Sequence, residues 1–349
     1  MIKLAVVLFN LGGPDKPEFV RPFLFNLFRD PAILRVPFFI RPFLAWIIAR
    51  ARAKPAGEIY ARLGGKSPLL ELTIAQGKAI ESALAARQIE ARSFVAMRYW
   101  HPFARETAAA VQAWDPDEIV LLPLYPQYSS TTTGSSLKNW REAAVRAGLA
   151  KQVTTLCCFF ADDGYIAATA AIVQRSLNQA RAAAKAPVRV LFSAHGLPES
   201  IVLNGDPYQF QVESTAARLV VALGEPELDH LVCYQSRVTP VKWLDPSTES
   251  AIEQAANDQV AVLVVPIAFV SDHSETLVEL DHEYKELAGK LGVPGYFRAP
   301  AQNSDENFIG ALANLVIASR ARGPGLCSFS GGRACPSVHR DCPMRQRAR

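Results

Sequence analysis

Short apolar, β-rich runs alternate along this chain with stretches whose apolar residues recur every third or fourth position. The first kind falls at 5–11, 94–98, 119–124, 153–159, 188–193, 231–234 and 260–267. The second covers 17–28, 67–87, 102–113, 135–147, 162–183, 207–222, 247–257, 274–290 and 303–320. The short runs read as strands and the 3.6-residue period reads as amphipathic helix. Strands without polar alternation are buried on both faces, the condition of a parallel sheet covered by crossover helices. The pattern predicts an α/β fold of two doubly wound, Rossmann-like domains. Ala184-Lys185-Ala186-Pro187 interrupts it, so the expected division is 1–184, 185–320 and a tail over 321–349.

Polar residues collect where the strands stop. The clusters are Asn10-Leu11-Gly12-Gly13-Pro14, Arg98-Tyr99, Tyr125-Pro126-Gln127-Tyr128, Ser193-Ala194-His195, Tyr234-Gln235-Ser236-Arg237 and Asp272-His273-Ser274-Glu275. Open parallel sheets bind ligands outside the carboxyl ends of their strands. Two such sheets facing one cleft would bring all six clusters together, a lining suited to a large flat ligand with ionisable groups. Two histidines stand at equivalent strand ends. His195 sits on a turn shaped by Gly196 and Pro198, and His273 precedes a helix carrying Glu275, Glu279, Glu283 and Glu286. In an α-helix the first three form one stripe, a candidate path for protons or a cation, although like charges so spaced destabilise an isolated helix.

Composition narrows the function classes. The 349 residues are 50% hydrophobic and 20% charged, and the net charge of +4 is too mild for nucleic acid to be the main partner. No apolar run is long enough to span a bilayer, and the chain enters a strand at once, so the expected place is the cytoplasm. Val36 to Ile48 is apolar, holds Trp46 and is followed by Arg50, Arg52 and Lys54. This segment, 36–48, reads as an amphipathic lip in peripheral contact with the inner face of the membrane, the alternative being a buried helix. Three of six cysteines, Cys327, Cys335 and Cys342, lie in the tail. With Cys157 or Cys158 they could hold a [2Fe–2S] cluster, or zinc with His339 as an alternative ligand. The hydroxyl-rich 129–136 segment lacks the phosphate-loop lysine and reads as a capped helix start, and Gly12-Gly13-Pro14 lacks the third glycine of a dinucleotide fingerprint.

Taken in order, these motifs resemble the ferrochelatase family over about 4–320. The resemblance rests on Leu8-Phe9-Asn10-Leu11-Gly12-Gly13-Pro14, Arg98-Tyr99-Trp100-His101-Pro102, Tyr125-Pro126-Gln127-Tyr128-Ser129, Ser193-Ala194-His195-Gly196-Leu197-Pro198, Gly205-Asp206-Pro207-Tyr208 and Ser271-Asp272-His273-Ser274-Glu275-Thr276-Leu277. It implies a chelatase-like fold and a lyase that inserts Fe(II) into protoporphyrin IX, giving protohaem and two protons. It implies His195 as base and Glu275 as proton acceptor or iron ligand, with Asp272, His273 and Glu279 on the proton or metal path. Leu11, Tyr125 and Trp243 would contact the ring, and Arg52, Ser67 and Arg98 the propionates. The tail is similar to that of cluster-bearing members. Animal members take a fourth cysteine from the segment where Ser130 stands here, so the expected ligands are Cys158, Cys327, Cys335 and Cys342. A coproporphyrin or cobalt chelatase is the nearest alternative reading. A porphyrin- or haem-binding iron–sulfur protein without catalysis is a more distant one.

Overall fold

Apolar strands hydrogen-bond as a sheet only where both faces can be covered, and here every residue of the first strand is buried. A computed structural model describes residues 2–237 and 241–345; the last four residues of the tail lie outside that range. Its strands are β1 (Leu4–Asn10), β2 (Ala91–Met97), β3 (Glu118–Pro123), β4 (Gln152–Leu156), β5 (Val188–His195), β6 (His230–Gln235), β7 (Ala261–Pro266), β8 (Tyr296–Arg298) and β9 (Gly325–Cys327). They form two parallel sheets, ordered β2-β1-β3-β4-β9 and β6-β5-β7-β8. In each, the first strand of the unit lies inside and the order reverses beside it, as doubly wound sheets require.

The two compact units divide elsewhere than the composition suggests. One comprises 1–125, 129–157 and 313–327; the other comprises 126–128, 158–312 and 328–349. The expected boundary at 184 is therefore displaced. Helix Asp163–Ala183 packs on β5, β7 and β8, so it belongs with the second sheet. The expected single tail is divided too. Residues Gly325–Cys327 return to pair with β4, where Cys157 N–H donates to the Cys327 carbonyl at 2.8 Å. Residues 328–345 fold onto the second unit, with Phe329 edge-on to Phe160 at 5.3 Å and His339 over Phe210 at 5.2 Å. His339 thus packs on an aromatic ring.

In the first unit, 36–48 begins as a turn and runs into helix Arg41–Arg62, whose later turns the sequence pattern does not reveal. Its Ala45 and Ala49 pack with Val20, Phe23, Leu24 and Phe28. The opposite face is bare: Phe38 is 79% exposed, Phe39 69%, Phe43 63%, Trp46 43% and Ile47 40%. A helix covered on all sides is thereby excluded. Arg21 and Arg50 lie over the Trp46 ring at 6.0 and 5.9 Å. No helix among the described residues is long and apolar enough to cross a membrane.

Helix Leu69–Ala85 shows how a crossover helix fastens an edge strand. Gly77 faces β2 so closely that a Cβ there would stand 2.6 Å from Ser93 Oγ. One turn on, Glu81 accepts from Ser93 N–H at 2.7 Å, Ser93 O–H at 2.6 Å and Lys78 Nζ at 2.8 Å. An edge-strand amide, otherwise unpaired, is satisfied in this way. Burial opposes ionisation of Glu81, but Lys78 and the Ser93 donors outweigh it and hold the carboxyl below its ordinary value. A carboxyl depressed on folding contributes stability above its unfolded value, and that contribution is lost as pH falls through the folded value. Glu81→Gln should therefore cost about 1 kcal/mol near neutral pH. The difference from wild type should shrink below about pH 4. Urea denaturation at both pH values checks this; an equal loss at both would remove the charge from the explanation.

Candidate functional site

Parallel strands in register end together, so residues at their carboxyl ends become neighbours whatever their distance in sequence. In the second unit His195 and Gln235 are register partners on β5 and β6. The segment after β7 supplies Asp272, His273 and Glu275. His195 Nδ1 lies 2.6 Å from the Gly196 carbonyl, and Tyr208 O–H donates to the His195 carbonyl at 2.9 Å. A carbonyl only accepts, so Nδ1 carries a proton, and in the neutral ring Nε2 keeps its lone pair. His273 Nδ1 faces the Ser271 carbonyl at 3.2 Å, which fixes the same tautomer. Burial lowers the His273 pKa, the charge of Glu275 opposing it, so this ring favours the neutral form.

Both Nε2 atoms face one carboxylate oxygen. Glu275 Oε2 is 3.8 Å from His195 Nε2 and 4.0 Å from His273 Nε2. It is buried and makes no hydrogen bond among the described residues. Two lone pairs and a carboxylate oxygen converge with no donor among them, an arrangement that favours a proton or a cation.

The helix that follows differs from expectation. Glu275–Tyr284 is π-helical, and α-helix resumes only at Lys285–Leu291. The glutamates of the expected stripe do not share one environment: Glu279 is half-buried while Glu283 and Glu286 face solvent. Glu279 accepts from Gln235 Nε2 at 3.0 Å, Ser236 N–H at 2.9 Å, Ser236 O–H at 2.5 Å and Tyr284 O–H at 2.9 Å. Burial and the nearby Glu275 nevertheless raise its pKa, against those donors. π-Helical turns concentrate at functional sites, where they re-aim side chains. Asp272 lies apart from this group. Its oxygens accept from Arg298 Nη1 at 2.8 Å and Asn303 Nδ2 at 2.7 Å, so it anchors the segment instead of facing Glu275. Trp243 is buried beside the histidine turn; a Cβ on Gly196 would stand 3.3 Å from its ring.

The first unit holds a second group. Arg98 pairs with the buried Asp30 at 2.7 Å and donates from Nε to Ser135 Oγ at 2.6 Å. Tyr99 O–H also donates to Asp30, at 2.8 Å. Neither Asp30 nor Ser135 carries a sequence signal for this role. Leu11 follows β1, half-buried, its N–H held by the Asn10 side chain at 2.8 Å. Gly12 has φ +86°, and a Cβ there would lie 3.1 Å from the Trp100 nitrogen, so glycine is required. Ser67 is buried against Gly13, Arg52 is half-buried on helix Arg41–Arg62, and Tyr125 is half-buried after β3. Helix Thr133–Arg146 starts without a side-chain cap, contrary to the reading of 129–136. The buried Thr132 and Thr133 hydroxyls instead have no hydrogen-bond partner among the described residues.

The profile of the ferrochelatase family matches residues 3–320. The chain belongs to the ferrochelatase family. It is 51% identical over 348 residues to the ferrochelatase of Caulobacter vibrioides, covering 99% of each chain. It is 51% identical over 347 residues to that of Phenylobacterium zucineum, covering 99% of this chain and 98% of the other. Among solved structures, the sirohydrochlorin chelatase SirB of Bacillus subtilis in complex with cobalt aligns at TM-score 0.52 and 12% identity, over 92% of this chain and 97% of that one. At that identity the likeness concerns the fold alone. As a ferrochelatase-family member the chain is a metal-chelating lyase whose substrates are ferrous iron and a porphyrin.

The cysteines are the feature this ferrochelatase fold does not itself explain. All six are buried and free of disulfides. Cys335 and Cys342 are hydrogen-bonded to one another, and that bond, against burial, pushes the Cys342 thiol down to about 6. Gln211 Nε2 lies 3.1 Å from Cys335 Sγ, and Arg333 binds the Cys335, Pro336 and His339 carbonyls. In the other unit, Cys327 Sγ lies 3.5 Å from the Thr155 carbonyl. Among the described residues no three His, Cys, Asp or Glu side chains are assembled as a metal-holding group, so the expected four-cysteine set is not gathered.

Proposed function

We propose that the chain inserts Fe(II) into protoporphyrin IX at His195 and Glu275. The observation that carries this is the buried Glu275 Oε2, without a hydrogen bond among the described residues and 3.8 Å from an imidazole nitrogen that keeps its lone pair in the neutral ring. Insertion breaks two porphyrin N–H bonds and forms iron–nitrogen bonds. His195 Nε2 takes a proton as general base, and neutral imidazole is matched to that task near physiological pH. Glu275 receives the second proton or holds the incoming metal; carboxylate and imidazole both suit ferrous iron. His273 keeps the pocket's charge balance as a buried neutral ring, and Glu279 accepts protons from Glu275. Leu11, Tyr125 and Trp243 contact the macrocycle. Arg52, Ser67 and Arg98 receive propionates; guanidinium has five donors, so Arg98 can serve a carboxylate beyond Asp30 and Ser135.

His195→Ala should lose at least about a hundredfold in turnover while still binding porphyrin, and Glu275→Gln should lose turnover with little change in porphyrin affinity. Anaerobic insertion assays with porphyrin fluorescence check both. Near-normal turnover in His195→Ala would remove it from the chemistry. Running the wild type with coproporphyrin and with Co(II) separates the neighbouring chelatase readings.

We propose further that the bare face of 36–48 rests on an anionic membrane surface, the chain otherwise residing in the cytoplasm. Exposed Phe38, Phe39 and Phe43 supply apolar contact, and Arg21 and Arg50 flank Trp46 at headgroup depth. Wild type should co-sediment with anionic liposomes and Phe38→Ser/Phe39→Ser should not. Equal recovery of wild type in the supernatant with and without lipid would end this reading.

We also propose a [2Fe–2S] cluster on Cys158, Cys327, Cys335 and Cys342, whose binding would have to draw these four cysteines together. Its support is the paired Cys335 and Cys342 with a thiol near 6, since thiolate is the metal-binding form. Such a cluster supplies a redox-active, soft-ligand centre that also ties the tail down. Protein purified anaerobically should be coloured, and Cys342→Ser colourless and more easily proteolysed in its tail. One zinc per chain and no visible absorption would refute it.

A further inference from the structure

Four hydrogen bonds converge on Glu279, and one of them leads away from the site. Tyr284 O–H lies 2.9 Å from Glu279 Oε1 and 3.2 Å from Glu249 Oε1. It has one proton for two carboxyl oxygens, so at any moment it donates to one of them. Tyr284 is buried. Glu249 Oε2 is itself buried and makes no hydrogen bond among the described residues. Glu249 stands in the first turn of helix Thr248–Asn257, whose N-terminus is capped by Ser247, with exposed Ser250 and Glu253 on the same element. A helix N-terminus favours a carboxylate in that turn. The expected route along the helix runs instead from Glu279 to Glu283, and no hydrogen bond joins these two among the described residues.

We propose that protons released during metal insertion leave Glu279 through the Tyr284 hydroxyl to Glu249. The transfer balances without any added reactant. The O–H bond of protonated Glu279 breaks as its proton joins the Tyr284 oxygen, and the Tyr284 O–H breaks as its proton joins Glu249 Oε1. One proton has moved between carboxyls, and the phenol is neutral before and after. The new O–H points at Glu279, and its rotation toward Glu249 resets the relay. Burial and the two flanking carboxyls hold the phenol proton tightly, so Tyr284 passes protons without ever standing ionised. Glu249 is half-buried in a first turn that also carries the exposed Ser250, the side on which the relay would meet solvent.

The inference rests on the proposed reaction, and its test separates the two. Tyr284→Phe removes the hydroxyl and little volume, and Glu249→Gln keeps shape and loses the proton acceptor. Each should lower kcat for Fe(II) and protoporphyrin IX by about tenfold with KM and melting temperature unchanged. The double variant should fall no further than either single one, because both lie on one path. Glu249→Asp should restore most of the rate. The solvent deuterium isotope effect on kcat should rise in Tyr284→Phe, a response that a packing role would not give. Unchanged kcat in both variants, multiplying losses in the double variant, or a loss in Glu283→Gln without one in Tyr284→Phe would each overturn the relay. A wild type with no insertion activity would overturn the reading of the site on which the relay depends.

Discussion

The second unit's centre hangs on one buried amide. Gln235 is fully enclosed, and its Oε1 accepts from Ser193 O–H at 2.9 Å, which leaves Nε2 pointing at the helix. That nitrogen donates to the Glu275 carbonyl at 3.1 Å and to Glu279 at 3.0 Å. A neutral donor thereby ties β5, β6 and the π-helix together at the point where two carboxyls approach each other. A charged donor would hold the carboxyls more strongly, but it would neutralise the negative potential that a cation or proton needs. The amide fixes positions and leaves the charge unspent. Arg298 does the opposite nearby: it binds Asp272 and Asp281 with a charged donor, and Asn303 takes the second Asp272 oxygen.

The π-helix is the geometric consequence of that anchoring. Its start is held by Gln235, while its buried side chains Val278, Leu280 and Tyr284 must still reach the core of the second sheet. Widening the turn accommodates both demands and turns Glu279 inward while Glu283 turns out. Nothing in the residue pattern announces this, because a 3.6-residue period and a wider turn place the same apolar residues inside over so short a span. The stripe of glutamates was legible in the sequence; its division into an inner pair and an outer pair was not.

The rest of the molecule divides along the same line. Strand runs and strand-end clusters could be read directly, since burial on both faces and polar termination are local properties. The pairing of Gly325–Cys327 with β4 could not, since a three-residue strand has no period and its partner lies far away in sequence. The division between units escaped for a related reason: an Ala-rich stretch at 184 resembles a linker, yet the helix before it packs forward onto the second sheet. Asp30 was invisible because it lies in a loop after a helix, and its importance comes from burial beside Arg98. What the sequence displays is chemistry at the ends of elements. What it hides is the second layer of residues that aims that chemistry.

That second layer bears on how such a centre hands metal onward. A resident metal site closes its coordination shell with tight ligands and a completed ring of supporting hydrogen bonds. A centre that must give its metal to a porphyrin gains nothing from such closure, because every bond to the protein must break as a pyrrole nitrogen takes its place. In the proposed reaction His195 and Glu275 offer one lone pair each across 3.8 Å and His273 turns a third toward the same oxygen, while the other carboxylates around them are spent on different partners. Asp272 is bound by Arg298 and Asn303, and Glu279 by Gln235, Ser236 and Tyr284. The supporting shell thus limits how many ligands the metal can find as well as orienting those it does. Freeing Asp272 or Glu279 would add a ligand and deepen the well, and a deeper well slows transfer. On this argument the hydrogen bonds that withhold carboxylates from the metal contribute to insertion as directly as the side chains left open to it.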